Sequence, residues 1–235
     1  MSKQDVARAL VAEGLGTGLL VACVVGSGVM ASDLSAGNVG LALLANSVAT
    51  AAILVVLVVS LGPVSGAHFN PAVTLTSALS GSMGPGTAAS YMASQALGGL
   101  LGTALAHGMF EQALWQQATQ QRHGVGQFVG EFVAAFGLLL AIVLTARKRP
   151  ASLPAVVGLF IGSAYWFTSS TSFANPAVTL ARAFSDTFTG IRLTDVPAFV
   201  VAQFAGAFCG SLLGGWLAGR ERPALLIEEN ERDVS

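Results

Sequence analysis

Between Asp33 and Glu111 the chain contains no Asp, Glu, Lys or Arg. A water-soluble domain ordinarily has about a quarter of its residues charged and cannot cover its surface without them. The whole chain of 235 residues has only 10% charged and 53% hydrophobic residues, so lipid must cover much of it. A formal net charge of −1, with no basic concentration, excludes nucleic acid as a partner. Cys23 and Cys209 lie in apolar runs without metal-ligand or redox spacing and read as small core residues. The first 20 residues carry Asp5 and Glu13, and their apolar run continues past Gly28, as in a span rather than a removable leader.

A bilayer core requires about 20 apolar residues per helix. Six stretches reach that length, at residues 9–31, 39–62, 86–110, 125–146, 151–170 and 196–219. With six spans, both ends and the second and fourth connections share one side of the membrane. That side collects Lys3, Arg8, Arg147, Lys148, Arg149, Arg220, Arg222 and Arg232, while the other has Arg122 and Arg192. The positive-inside rule therefore places both termini in the cytoplasm. The compact chain, without an organelle address, suggests the plasma (inner) membrane.

Two apolar segments remain, residues 70–81 and 175–184, too short to cross. As helices they would each rise about 15 Å, half of a ~30 Å core. They fall in connections on opposite sides, so two half-helices entering from opposite faces would meet at the midplane. Their sequences repeat: Asn-Pro-Ala-Val-Thr-Leu occurs at Asn70–Leu75 and again at Asn175–Leu180. Ahead of the boxes Glu13 matches Glu131, and behind them Gln95 matches Gln203. Three landmarks in the same order indicate two halves, 1–110 and 125–219, joined by a loop at 111–124 and followed by a cytoplasmic tail at 220–235. Three spans per half is odd, so the second half must be inverted relative to the first. Inverted repeats place a solute path at their interface, and interrupted helices mark it. The fold class expected is an all-α membrane protein, with six transmembrane helices and two re-entrant half-helices in an inverted three-span repeat.

The paired boxes have a chemistry of their own. Asn is a favoured N-cap, and Pro suits the first helical turn, where its missing N–H has no helical partner. Ala72 and Ala177 allow two such ends to approach closely. The NH₂ groups of Asn70 and Asn175 remain available as donors to a passing molecule. Each helix N-terminus adds about half a unit of positive charge. Two of them head to head repel cations and hydronium while a neutral lone-pair donor passes.

The segments Ser65–Leu75 (SGAHFNPAVTL) and Phe173–Arg182 (FANPAVTLAR) resemble the aquaporin and aquaglyceroporin family, and the likeness covers nearly the whole chain. The resemblance implies a homotetramer with one pore per subunit, and passive flow of water or small neutral solutes. It assigns Glu13 and Glu131 to holding the re-entrant loops by hydrogen bonds. His68, two residues before Asn70, reads as a loop-bonding residue, or as a pH sensor at the inner vestibule. It also reveals departures. Where the family commonly has an Arg after its second box, this chain has Val178. Counted without gaps, the other constriction positions fall on Thr50, Ser163 and Ser172, with Phe173 replacing Ser172 if the loop is one residue out of register. Such a ring is wide and uncharged, and predicts passage of glycerol-like polyols and metalloid hydroxides such as arsenous acid.

Arg182, one helical turn beyond Val178, supplies an alternative: a displaced cationic gate that makes the pore water-selective. It is equally placed to pair with Asp186 or to reach lipid headgroups. An ion-coupled transporter needs carboxylates beside the path, and only Glu13 and Glu131 qualify, both better suited as loop anchors. No enzyme motif is present, and no cofactor or metal is called for.

Overall fold

The computed structural model describes residues 3–219, in which the regular structure is helical throughout and no strand occurs. Eight α-helices follow in order: α1 (Lys3–Leu34), α2 (Val39–Ser65), α3 (Pro71–Leu79), α4 (Pro85–Met109), α5 (Val125–Lys148), α6 (Leu153–Phe167), α7 (Pro176–Arg182) and α8 (Val196–Ala218). Short 3₁₀ turns, Pro150–Ser152 and Leu193–Asp195, lead into α6 and α8. The tail expected at 220–235, with Arg220, Arg222 and Arg232, lies outside the described residues, as does the side chain of Lys3.

Five helices are long and apolar enough to cross a bilayer on composition alone: α1, α2, α5, α6 with its 3₁₀ lead-in, and α8. The remaining long helix, α4, has 25 residues but is less apolar than the expectation of six uniform spans supposed. The reason is its buried face, which carries Gln95, Thr103 and His107. These polar groups are tolerated because each is bonded inside the protein, to Glu13 and Thr74, to Ala181, and to Leu114 and Ser185. At the other end of the scale α6 stops at Phe167, earlier than residue 170, because the chain peels away there toward the second box.

Both halves use the same helix contact. A Cβ on Gly98 or Gly102 of α4 would overlap the carbonyl oxygens of Gly14 and Gly18 of α1. Likewise a Cβ on Gly206 or Gly210 of α8 would overlap those of Phe132 and Phe136 of α5. Lipid tails are as apolar as Leu, so helices in a bilayer associate by close van der Waals packing, which small residues permit. Outward faces are apolar and exposed, including Leu97, Leu101, Leu105 and Leu159. Cys209 is exposed among them rather than in the core, and Cys23 is half-buried with its thiol directed at the Ala49 carbonyl.

Candidate functional site

The two short helices begin as their sequences dictate. Asn70 and Asn175 sit in extended backbone as N-caps, each followed by Pro at the first helical position. The Asn70 Oδ1 accepts from the Ala72 N–H at 2.9 Å, and the Asn175 Oδ1 from the Ala177 N–H at 3.0 Å. Each amide then donates across to the other half: Asn70 Nδ2 to the Ala174 carbonyl at 2.8 Å, and Asn175 Nδ2 to the Phe69 carbonyl at 2.7 Å. One N–H of each NH₂ is thereby used in the protein, and one is left for a passing molecule. Both Asn residues line a single elongated cavity of about 670 Å³.

The loops before the boxes are strained in matching places. Ala67 and Phe69, three and one residues before Asn70, have φ of 51° and 48°; Ser172 and Ala174, three and one before Asn175, have 49° and 50°. Non-glycine residues in this left-handed region cost of order 1 kcal/mol each and need support from their surroundings. Glu13 and Glu131 provide it. Glu13 accepts from the His68 and Phe69 N–H groups, the Ser65 hydroxyl and the Gln95 amide. Glu131 accepts from the Phe173 and Ala174 N–H groups and the Gln203 amide. Gln95 and Gln203 in turn bond Thr74 and Thr179 inside the half-helices. His68 turns its ring to the Thr74 hydroxyl and stacks edge-on against Tyr91.

Beyond the boxes the structure differs from the ungapped count. Thr50, Ser172, Phe173 and Val178 line the cavity, but Ser163 does not. Ser163 is exposed and its hydroxyl returns to the Phe160 carbonyl. Tyr165 occupies the wall instead, its hydroxyl 3.2 Å from that of Thr50. Two residues turn a helix through about 200°, so the two positions lie on nearly opposite faces of α6. The signal that identifies Tyr165 is the spacing Leu153, Val157, Ile161, Tyr165, one stripe along α6 that faces the cavity throughout.

Arg182 adds a charged group to the cavity wall beside the uncharged positions of the counted ring. Its side chain is only 2% exposed yet lines the cavity. Its guanidinium carbon lies 3.3 Å from the centre of the Phe173 ring, and its Nε donates to the Thr189 carbonyl. Its NH1 has no partner among the described residues. The alternative pairing with Asp186 is not made. Asp186 accepts instead from the Thr119 N–H and hydroxyl, which hold its carboxyl below the usual range. Asp195 accepts from the Arg122 N–H and pairs with Arg192 at 3.0 Å.

Crossing helices, two capped half-helices meeting end to end, and a cavity threading past both caps together define a helical membrane channel. The chain belongs to the major intrinsic protein family, whose model matches residues 1–174, a family of membrane channels for water and small solutes rather than of enzymes. It is 53% identical over 225 residues to aquaglyceroporin AqpS of Rhizobium meliloti (strain 1021), covering 96% of each chain. It is also 33% identical over 228 residues to aquaporin TIP4-4 of Zea mays, covering 90% of this chain and 84% of that one. Among solved structures it resembles the aquaglyceroporin from Plasmodium falciparum, with a TM-score of 0.66 over 92% of this chain and 96% of that one. At 21% identity that last likeness speaks for the fold alone.

Proposed function

We propose that the chain forms a passive channel for water and small uncharged polyhydroxy solutes, glycerol-like polyols and metalloid hydroxides such as arsenous acid. The observation that carries this reading is the mixed lining of the cavity. Aliphatic side chains, from Leu20, Val24 and Leu54 to Leu138, Val157 and Ile161, line it together with the polar groups of Asn70, Asn175 and Arg182. A polyol has the matching chemistry, C–H groups alongside hydroxyls. The name of AqpS, an aquaglyceroporin, supports the same solute class. Glu13 and Glu131 are fully buried and bonded, and neither lines the cavity, which argues against ion-coupled transport.

The assembly we propose is a homotetramer in the plasma membrane with both termini cytoplasmic. Within each subunit, 1–110 and 125–219 act as inverted halves, and Thr50, Tyr165, Val178 and Arg182 form the outer constriction. A second reading, a water-selective pore gated by Arg182, draws on the guanidinium seated on the Phe173 ring in the cavity wall. Stopped-flow light scattering on proteoliposomes separates the two. Shrinkage in sucrose followed by fast re-entry of glycerol and arsenite is expected; fast water flux without solute entry would leave the water-selective pore.

A further inference from the structure

Arg122 belongs to the loop joining the two halves, and neither the boxes nor the family resemblance assigns it a role. Its side chain nevertheless reaches into the segments on both sides of the second box. Nε donates to the Gly190 carbonyl at 2.8 Å, and the two terminal nitrogens lie 3.4 Å from the Ser170, Thr171 and Phe188 oxygens. Its own N–H is held by Asp195 at 2.9 Å. The guanidinium carbon lies 5.0 Å from the centre of the Phe173 ring, the ring on which Arg182 also rests.

The two arginines are coupled through that ring and through neighbouring peptide groups. Arg182 donates to the Thr189 carbonyl and Arg122 to the next one, Gly190. Phe173 is braced further by Phe199, whose ring packs edge-on at 5.2 Å. Like charges repel, and no carboxylate lies within ion-pair distance of either guanidinium among the described residues. Each is kept in place by neutral oxygens and the aromatic ring they share, a cation–π contact that strengthens where water is excluded. The free NH1 of Arg182 therefore has its position set from behind, by a residue outside the cavity.

We propose that Arg122 is a positioning residue for solute selection: it fixes Phe173 and the Gly190 segment, and through them the guanidinium of Arg182 at the outer constriction. The proposal rests on the channel reading above. Removing the fork frees the Phe173 ring, Arg182 loses its seat, and the outer passage admits larger solutes more readily.

The test measures water and glycerol permeability in the same proteoliposomes for wild type, R122A, R122Q, F173L and the R122A/F173L double variant. R122A and R122Q are expected to raise the glycerol-to-water ratio by about threefold. In the double variant the two changes are expected not to multiply, as for residues acting through one contact. A wild-type ratio in R122A and R122Q would overturn the proposal, and so would effects that multiply independently. If R122A does not fold, R122Q decides, since its amide still reaches the Gly190 carbonyl. Loss of water and glycerol flux together in both variants would assign Arg122 to folding alone and likewise overturn it. Wild-type vesicles that conduct neither water nor glycerol would instead sink the channel reading, a result distinguishable from all of these.

Discussion

Glu131 is wholly buried in a mainly apolar bundle, yet it is not a stray charge. Its carboxylate takes up the N–H groups of Phe173 and Ala174, which the turn before Asn175 leaves without helical partners, together with the Gln203 amide. A carboxylate offers acceptors on both oxygens, whereas an amide offers one oxygen and an NH₂ that would face a backbone donor. Leaving a buried donor unpaired costs about 1–3 kcal/mol, and more beside a charged partner. E131Q is therefore expected to lose about 3 kcal/mol of stability, read as an earlier thermal unfolding transition in detergent. E13Q should behave in the same way, since Glu13 serves His68 and Phe69 alike. Full stability in both variants would mean that the loops hold their left-handed turns without help.

The helices are joined by a device that composition alone does not reveal. Gly206 and Gly210 on α8 face the backbone of α5 at Phe132 and Phe136, closer than any side chain could stand. Inserting a methyl group into a packed contact forces backbone shifts that typically cost 1–3 kcal/mol. G206A is accordingly expected to lose about 2 kcal/mol and to lower the yield of folded protein. Gly86, exposed at the start of α4, has no neighbour where its Cβ would stand, so G86A should stay within about 0.5 kcal/mol of wild type. Thermal unfolding of the two variants side by side makes the comparison. Equal stability of the two variants would show that the close contact at Gly206 does not govern its packing.

At the scale of the whole molecule the halves are tied through the cross-donated amides of Asn70 and Asn175, each ending on the carbonyl just before the other box. Removing an N-cap side chain costs about 1 kcal/mol, and residues sharing one network couple by about 0.5–3 kcal/mol. N70A and N175A should each destabilise the channel, and the double variant should cost less than their sum. Strict additivity in unfolding would mean that the two boxes are independent caps. The boxes themselves, the glutamates ahead of them and the glutamines behind them are legible in the chain because each repeats at matching positions. The helix positions are legible for a simpler reason: lipid demands a minimum apolar length, and a charge-poor chain has few ways to meet it. The ring outside the boxes is not legible in that way. Counting residues placed Ser163 at the pore, but helix phase decides which face of α6 looks inward, and it chose Tyr165. Arg182 was visible as an alternative, while its seat on Phe173 and the hold of Arg122 depend on three loops brought together from distant parts of the chain. The sequence by itself thus determined a membrane-embedded helical channel with two opposed Asn caps, because hydropathy and capping are local properties. Only the tertiary structure decided which side chains line the cavity beyond the boxes, because that depends on helix rotation and on contacts between residues far apart in the chain.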